Sequence, residues 1–288
     1  GREFNGMRQS PCYTHGDSAK QIDCTSCHQM HAKDGKATDE WRDDQLQVGM
    51  RGNVGCTQCH ESMATLDGLA KHTHHSPDSG GSSCYNCHMS HTSVGLMKAS
   101  RSHAITNPDV AVELATGRPN ACNQCHLDRT LAWTASNLEQ MWGIASPPLS
   151  KEHREVAAGV RWLLSGDAGQ RMLAAWSFGW QAAQDASGAD WMAPYLGRLL
   201  DDPYYVVRFN AARSLRSLGG FGGTLVGYQF VADGAVQKQF VDNVTAVWQA
   251  QYRGGAKARI LMGPRGLLRA QFDRLYARRD DRPVYIAE

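Results

Sequence analysis

Four copies of one five-residue pattern carry the chemistry of this 288-residue chain: CTSCH at Cys24 to His28, CTQCH at Cys56 to His60, CYNCH at Cys84 to His88, and CNQCH at Cys122 to His126. In each, two thiols stand three residues apart and an imidazole follows at once. Two such thiols can add to the two vinyl groups of one haem, and the adjacent histidine then ligates the iron. The chain has nine cysteines and twelve histidines, for which chance supplies on the order of 0.01 copies of the pattern. Cysteine pairs also occur in zinc ribbons and thioredoxin-like redox motifs. Neither needs a histidine after every second cysteine, and a redox motif would sit once, beside an alternation of strands and helices that is absent here. The spacing therefore predicts four covalently attached haem c groups. Cys24, Cys27, Cys56, Cys59, Cys84, Cys87, Cys122 and Cys125 would hold them, with His28, His60, His88 and His126 as the proximal iron ligands.

Four irons need four further ligands, and eight histidines lie outside the motifs: His15, His31, His72, His74, His75, His91, His103 and His153. Supply exceeds demand. An imidazole on both sides of an iron leaves no position open for substrate, which favours electron transfer over catalysis. Cys12 is the one cysteine outside the motifs; as a thiolate it would lower the potential of the haem it bound, and otherwise it reads as a small buried hydrophobe or an intermolecular disulfide. Met30, Met50, Met63, Met89 and Met97 read as packing against porphyrin faces.

The elements that must position these groups differ along the chain. Residues 1 to about 130 are rich in Gly, Ser, Asp, His and Cys, with no sustained helical or strand period. Such a segment builds no core from side chains alone, so four haems would supply the missing apolar mass, with one short helical turn per motif. The motifs start at residues 24, 56, 84 and 122, and loops this short should pack the haems against one another. From about residue 151 the pattern changes to amphipathic helices, with stripes at Val156, Val160, Leu163 and Leu164, and at Met192, Tyr195, Leu196, Leu199 and Leu200. Asp202 and Pro203 read as an N-cap and first helical residue before Val207, Ala211, Leu215 and Leu218. GGFGG at 219–223 breaks the chain. Later stripes run through Val236, Phe240, Val244, Val247 and Trp248, and through Leu268, Phe272, Leu275 and Tyr276. Trp133, Trp142, Trp162, Trp176, Trp180 and Trp191 are expected where the halves meet, as core. The fold class expected is mainly α: a loop-rich, haem-packed domain over 1–135 and an all-α domain over 150–288.

Residues 1–149 carry 12 Lys and Arg against 15 Asp and Glu, and residues 150–288 carry 18 against 13. No basic stripe interleaved with aromatics argues for nucleic acid. No run of 18 apolar residues would span a membrane. The opening GREFNG lacks the charged and apolar regions of a signal peptide. Because c-type haem is attached on the exported side of a bacterial membrane, the chain reads as a mature or trimmed protein, periplasmic or extracellular.

The stretches SPCYTHG, CTSCHQMH, GNVGCTQCH, HTHHSPDSGGSSCYNCHMSH, RSHAI and TGRPNACNQCHLDRTLAWTA, together spanning about residues 4–135, resemble multihaem cytochromes of the doubled-CXXCH and hydroxylamine-oxidoreductase-linked tetrahaem type. Members of that group are often fused to TPR or HEAT repeats. DDPYYVVRFNAARSLRSL at 201–218 resembles the second half of a HEAT repeat, and RDDRPVYIAE resembles the tails of such fusions. Repeat arrays usually need three or more units, so two helix pairs would lean on the haem domain. The resemblance implies electron-transfer haems with histidine as the usual second ligand. On it, His31, three residues past His28, matches a ligand that reaches to a neighbouring haem. His75 and then His72 match a ligand cluster in HTHH, and His103 in RSHAI is similarly matched. His91 repeats the spacing of His31 with a less firm family position. The fourth ligand stays open between His15, Cys12 (where relatives often have methionine) and a residue elsewhere. His153 reads as a surface residue.

The function expected is an electron relay, not an enzyme, that passes single electrons between redox partner proteins or to an extracellular acceptor. A subunit of a polymeric extracellular cytochrome filament with haem-to-haem contacts between copies is one alternative. A haem enzyme acting on small nitrogen or sulfur compounds is another, and would need a five-coordinate iron.

Overall fold

The computed structural model describes residues 2–16, 21–32, 35, 38–94 and 97–283. It is mainly helical, with two short two-stranded sheets among the described residues. No described helix is long and apolar enough to cross a membrane. The chain forms two compact units, one within Gly1–Ser90 and Arg101–Pro108, the other within His91–Ser100 and Asp109–Ala287. This division is not the 1–135 and 150–288 boundary expected above, because the fourth CXXCH turn packs into the helical unit.

The first unit is a series of short turns. Helices Arg2–Gln9, Asp39–Asp44 and Leu66–Thr73 are its longest elements, and the first three motifs occupy single turns: Cys24–Ser26, Val54–Thr57 and Cys84–His88. Polar residues start many of these turns. Ser10, Asp23, Thr38 and Thr65 each accept a hydrogen bond from a backbone N–H of the first turn, which satisfies a donor that a helix start leaves open. Apolar burial is sparse: among the described residues only Met7 and Leu69 are buried aliphatic side chains. Phe4, Met30, Val48, Val54 and Leu66 stand exposed, Val48 at 88% and Leu66 at 73%.

The second unit has the opposite character. Its core joins Leu127, Val160, Leu163, Leu164, Phe178, Trp191, Tyr195, Leu196, Leu199, Val207, Leu215, Val244 and Phe272, all fully or almost fully buried. Each such aliphatic or aromatic side chain contributes roughly 1.5–3 kcal/mol on burial. The stripes predicted on Ala158–Ser165 and Ala193–Arg198 face this core. Helices approach closely where side chains are small: a Cβ on Gly179 would meet Ser214 Oγ at 2.3 Å, and one on Gly197 would meet Val244 at 2.8 Å.

Three sequence expectations fail in detail. Asp202 does not cap a helix at Pro203; helix Tyr205–Ser217 starts later, and Asp202 is fully buried, accepting from Tyr204 N at 2.9 Å and from Arg171 Nε at 2.8 Å. Arg171, also fully buried, uses all five guanidinium donors, reaching both Asp202 oxygens, the Gly166 and Asp280 carbonyls and Asp281 Oδ1. Burial pushes the Asp202 carboxyl up while Arg171 pulls it down. An ion pair thus took the residue that turn chemistry assigned to a cap. Val236, placed in a core stripe, is 53% exposed, and Trp142, placed in the core, is 38% exposed.

Candidate functional site

All four motifs share a backbone device. A CXXCH stretch wound into one helical turn puts both cysteines on one side. The closing bond runs from the histidine N–H to the first cysteine's carbonyl: His28 to Cys24 at 2.9 Å, His60 to Cys56 at 3.0 Å and His126 to Cys122 at 2.9 Å. The third motif is helical throughout, from Cys84 to His88.

Two motif histidines face a second imidazole across a defined gap. His28 and His103 have ring centroids 6.1 Å apart, with planes 26° from parallel. His72 and His88 are likewise 6.1 Å apart, at 13°. That separation lies within the roughly 4.5–7 Å of offset aromatic pairs. One metal ion bound by two imidazoles at about 2 Å per nitrogen would also place the centroids about 6 Å apart, so the spacing is one that a shared metal ion would give as well.

The anchoring of the rings has the same sense. His28 Nδ1 donates to the Asp44 carbonyl at 2.9 Å, and His88 Nδ1 donates to the Thr106 carbonyl at 3.2 Å. Because a carbonyl only accepts, Nδ1 carries the proton and Nε2 keeps its lone pair, the arrangement in which a second-shell bond orients a metal-ligating histidine. Burial pushes the His88 pKa down, and burial followed by the neighbouring His28 does the same at His103. Both shifts favour neutral imidazole, the form that ligates metal.

Supporting residues explain how the sequence achieves this. The stretch after helix Asp39–Asp44 pairs with the first motif in a single bridge, through Gln29 N to Gln45 O at 2.8 Å and Gln47 N to Cys27 O at 2.9 Å. Gly6 lets the first helix lie against His103, since a Cβ there would stand 2.9 Å from Ala104 N. Asn53 clamps the third motif by donating to Ser82 O at 2.8 Å and accepting from Cys84 N at 3.0 Å. A Cβ on Gly55 would meet Tyr85 Oη at 2.3 Å, and one on Gly81 would meet the His75 ring at 2.2 Å. The thiols of Cys56 and Cys84 share a hydrogen bond that brings Cys84 down to about 7 and pushes Cys56 up. The first cysteines of the second and third motifs are therefore neighbours.

The other sequence candidates are placed as follows. His75 is partly buried and its Nδ1 donates to Thr73 O at 2.6 Å. Within HTHH it is His72, the second choice from sequence, whose ring faces His88. His31, His60 and His15 are exposed. Cys12 is partly buried; burial raises its pKa, followed by the neighbouring Cys59 of the second motif. His153 Nδ1 lies 3.0 Å from Ser150 Oγ.

In the second unit the fourth motif is fixed by a buried polar network. Asn120 caps its turn and donates to Asn123 Oδ1 at 2.9 Å, while Thr134 donates to the same oxygen at 2.6 Å. Asn123 in turn donates to the carbonyls of His126 and Arg129. Behind it Glu113, pushed up by burial, accepts from Asn120 and from Trp162 Nε1 at 2.9 Å. Ser187 donates to Cys125 O at 2.7 Å and accepts from Leu127 N at 2.9 Å. Gln124, inside the motif, donates to the His91 carbonyl at 2.9 Å and accepts its N–H at 3.1 Å. The His91 ring lies against Trp176 at 4.3 Å and Trp180 at 5.0 Å, and the His126 ring against Trp133 at 4.8 Å.

Sequence reasoning missed Asn53, Gly55, Gly81, Asn120, Gln124 and Thr106. The visible signals were an Asn or Gly within a few residues before the second, third and fourth motifs, in GNVGC, GGSSC and PNAC. Among the described residues no three or more His, Cys, Asp or Glu side chains gather into a metal site of the all-protein kind. Comparison of the chain with protein-family models, curated proteins and solved structures gives no match.

Proposed function

We propose that this chain is a tetrahaem c-type cytochrome, exported from the cytoplasm, that relays single electrons through closely packed haems. The observation that carries the reading is the coincidence of four CXXCH turns with two imidazole pairs at 6.1 Å, each containing one motif histidine. The donor set fits the group. Cys24 with Cys27, Cys56 with Cys59, Cys84 with Cys87 and Cys122 with Cys125 would each hold one haem by thioethers. His28 with His103 would complete the first iron and His88 with His72 the third, while His60 and His126 draw on Cys12, His15, His31, His75 and His91. A haem so bound supplies a one-electron ferric–ferrous couple.

The work of the protein is to orient, shield and space. The Asp44 and Thr106 carbonyls fix two rings, and a haem held between two imidazoles would keep no ligand position for substrate. Phe4, Met30, Val54 and Leu66, exposed in this unit, are apolar surface that bound haems would be expected to cover. The test is twofold. The mature protein should carry four haems that survive acid extraction, and His72→Ala and His103→Ala should each convert one low-spin haem, and only one, to a high-spin haem that binds carbon monoxide. Zinc in place of haem would overturn the reading; four low-spin haems in both variants would overturn the ligand pairs.

A further inference from the structure

Much of the second unit neutralises its surface cations. Arg198 pairs with Asp201 at 2.8 Å, Lys238 with Asp242 at 2.8 Å, Arg279 with Asp281 at 2.7 Å and Arg282 with Asp280 at 2.6 Å. The segment 243–272 does otherwise. It holds Arg253, Lys257, Arg259, Arg265 and Arg269 and no Asp or Glu; all five cations are exposed, and none forms an ion pair among the described residues. The backbone gathers them: Lys257 bridges Met262, Met262 pairs with Leu267 and Gly263 with Gly266. Neighbouring runs lie about 5 Å apart, with Arg265 at the turn and Arg259 and Arg269 at the flanks. Like charges within roughly a Debye length of 8–10 Å repel, and Asp273, one turn beyond Arg269 on its helix, is a single acid beside five cations, so the surface keeps a net positive charge. The acids on the adjoining helix Lys151–Glu155 are engaged elsewhere, Glu152 with Arg161 and Arg278, Glu155 with Lys151.

The cluster adjoins the fourth motif. Ala157 N donates to the Arg259 carbonyl at 2.8 Å, Ala157 bridges Thr130, and Ala158 N donates to the Arg129 carbonyl at 2.8 Å. Arg259 is thus two hydrogen-bonded runs from the residues that follow His126. We propose that this basic surface docks an acidic electron-transfer protein and steers it onto the fourth CXXCH site; the proposal rests on the tetrahaem reading. An anchor for an acidic polysaccharide would need no such neighbour, so the protein partner is favoured.

The test uses the full haem-loaded chain, first assayed for four haems, then reduced and mixed with an anionic oxidant, ferricyanide, or a cationic one, hexaammineruthenium(III). In the first case each electron leaving the protein converts one ferricyanide to ferrocyanide, with no bond made or broken. At low ionic strength K257E/R265E should slow the ferricyanide reaction about fivefold and speed the ruthenium reaction, with both effects below about twofold near 0.5 M salt. R213E/R216E makes the same change of net charge on helix Tyr205–Ser217 and should change either rate less than about twofold. K257Q/R265Q should give about half the effect and guards against misfolding of the reversal. Poly-L-glutamate, standing in for an acidic protein face, should slow the ferricyanide reaction of the native chain and not that of K257E/R265E. Equal effects of the two reversals, no effect, or binding of heparin without poly-L-glutamate would overturn the docking site in a four-haem protein. A chain without haem would overturn the tetrahaem reading itself.

Discussion

The first three CXXCH turns and the fourth are alike in local backbone and opposite in support. Around the first three, the described residues bury Met7 and Leu69 as aliphatic side chains and leave Val48 and Leu66 largely in solvent. Around the fourth, Leu127 enters a core with Phe178, Trp191 and Tyr195, and buried Asn120, Asn123, Thr134 and Glu113 join in hydrogen bonds. On the tetrahaem proposal, the difference separates two ways of making a cofactor site. One unit would have side chains enough to fold before any cofactor arrives; the other has candidate ligands and turns but, among its described residues, little buried apolar area to offset chain entropy.

The largest expected effect breaks or establishes that contrast directly. The full chain made without haem attachment should show strong amide protection over Ala168–Phe178 and Tyr205–Ser217 and almost none over Leu66–Thr73 and Cys84–His88. The gap should be roughly a thousandfold or more, since core amides report global stability and unfolded ones do not. Hydrogen exchange read by mass spectrometry measures it. Equal protection in both units would show that the first unit folds unaided and would remove the comparison.

Next in size is the buried guanidinium that ties Asp202 and the 280–281 stretch to helix Ala168–Phe178. Arg171→Met leaves Asp202 as an uncompensated buried carboxylate and should cost the second unit about 3–5 kcal/mol, seen as a lower denaturant midpoint. Adding Asp202→Leu should recover most of that loss. On the tetrahaem proposal, the three haems assigned to the first unit should be retained in both variants. Their loss along with the helical unit would mean that the first unit depends on the second.

What could be read in advance follows the same division. In the helical half, the period of apolar residues placed Val160, Leu163, Leu164, Met192, Tyr195, Leu196, Val207, Ala211 and Leu215 in the core, and they are buried. A helix that must bury one face writes that face into its sequence. Asp202 was misassigned because a turn aspartate before proline has the same local signature whether it caps a helix or meets an arginine 31 residues earlier. In the first unit, the motif spacing singled out the thiols and the histidines beside them, and RSHAI singled out His103, whose ring stands 6.1 Å from that of His28. The order within HTHH was not legible: His72 and His75 have the same chemistry, and only the helix Leu66–Thr73, with Thr73 accepting from His75 Nδ1, decides which ring faces His88. The fourth motif's place in the helical unit was hidden too, since Leu127 and Ser187 are 60 residues apart.

The smallest effect sharpens the comparison most finely, because it asks the same question of one side-chain amide in each unit. Gln124 bonds both backbone groups of buried His91, and Asn53 bonds Ser82 O and Cys84 N. Removing a buried amide leaves its partners unsatisfied, at about 1–3 kcal/mol. In the chain without haem, Gln124→Ala should therefore lower the unfolding midpoint of the helical unit, because the bonds it breaks exist there already. On the tetrahaem proposal, Asn53→Ala should leave that chain unchanged, because its bonds would then persist only where haem holds the turns around it. In the haem-loaded protein both variants should destabilise. Paired denaturant titrations with and without haem distinguish the cases, and a loss for Asn53→Ala in the haem-free chain would mean that the second and third motifs are already clamped before their haems arrive.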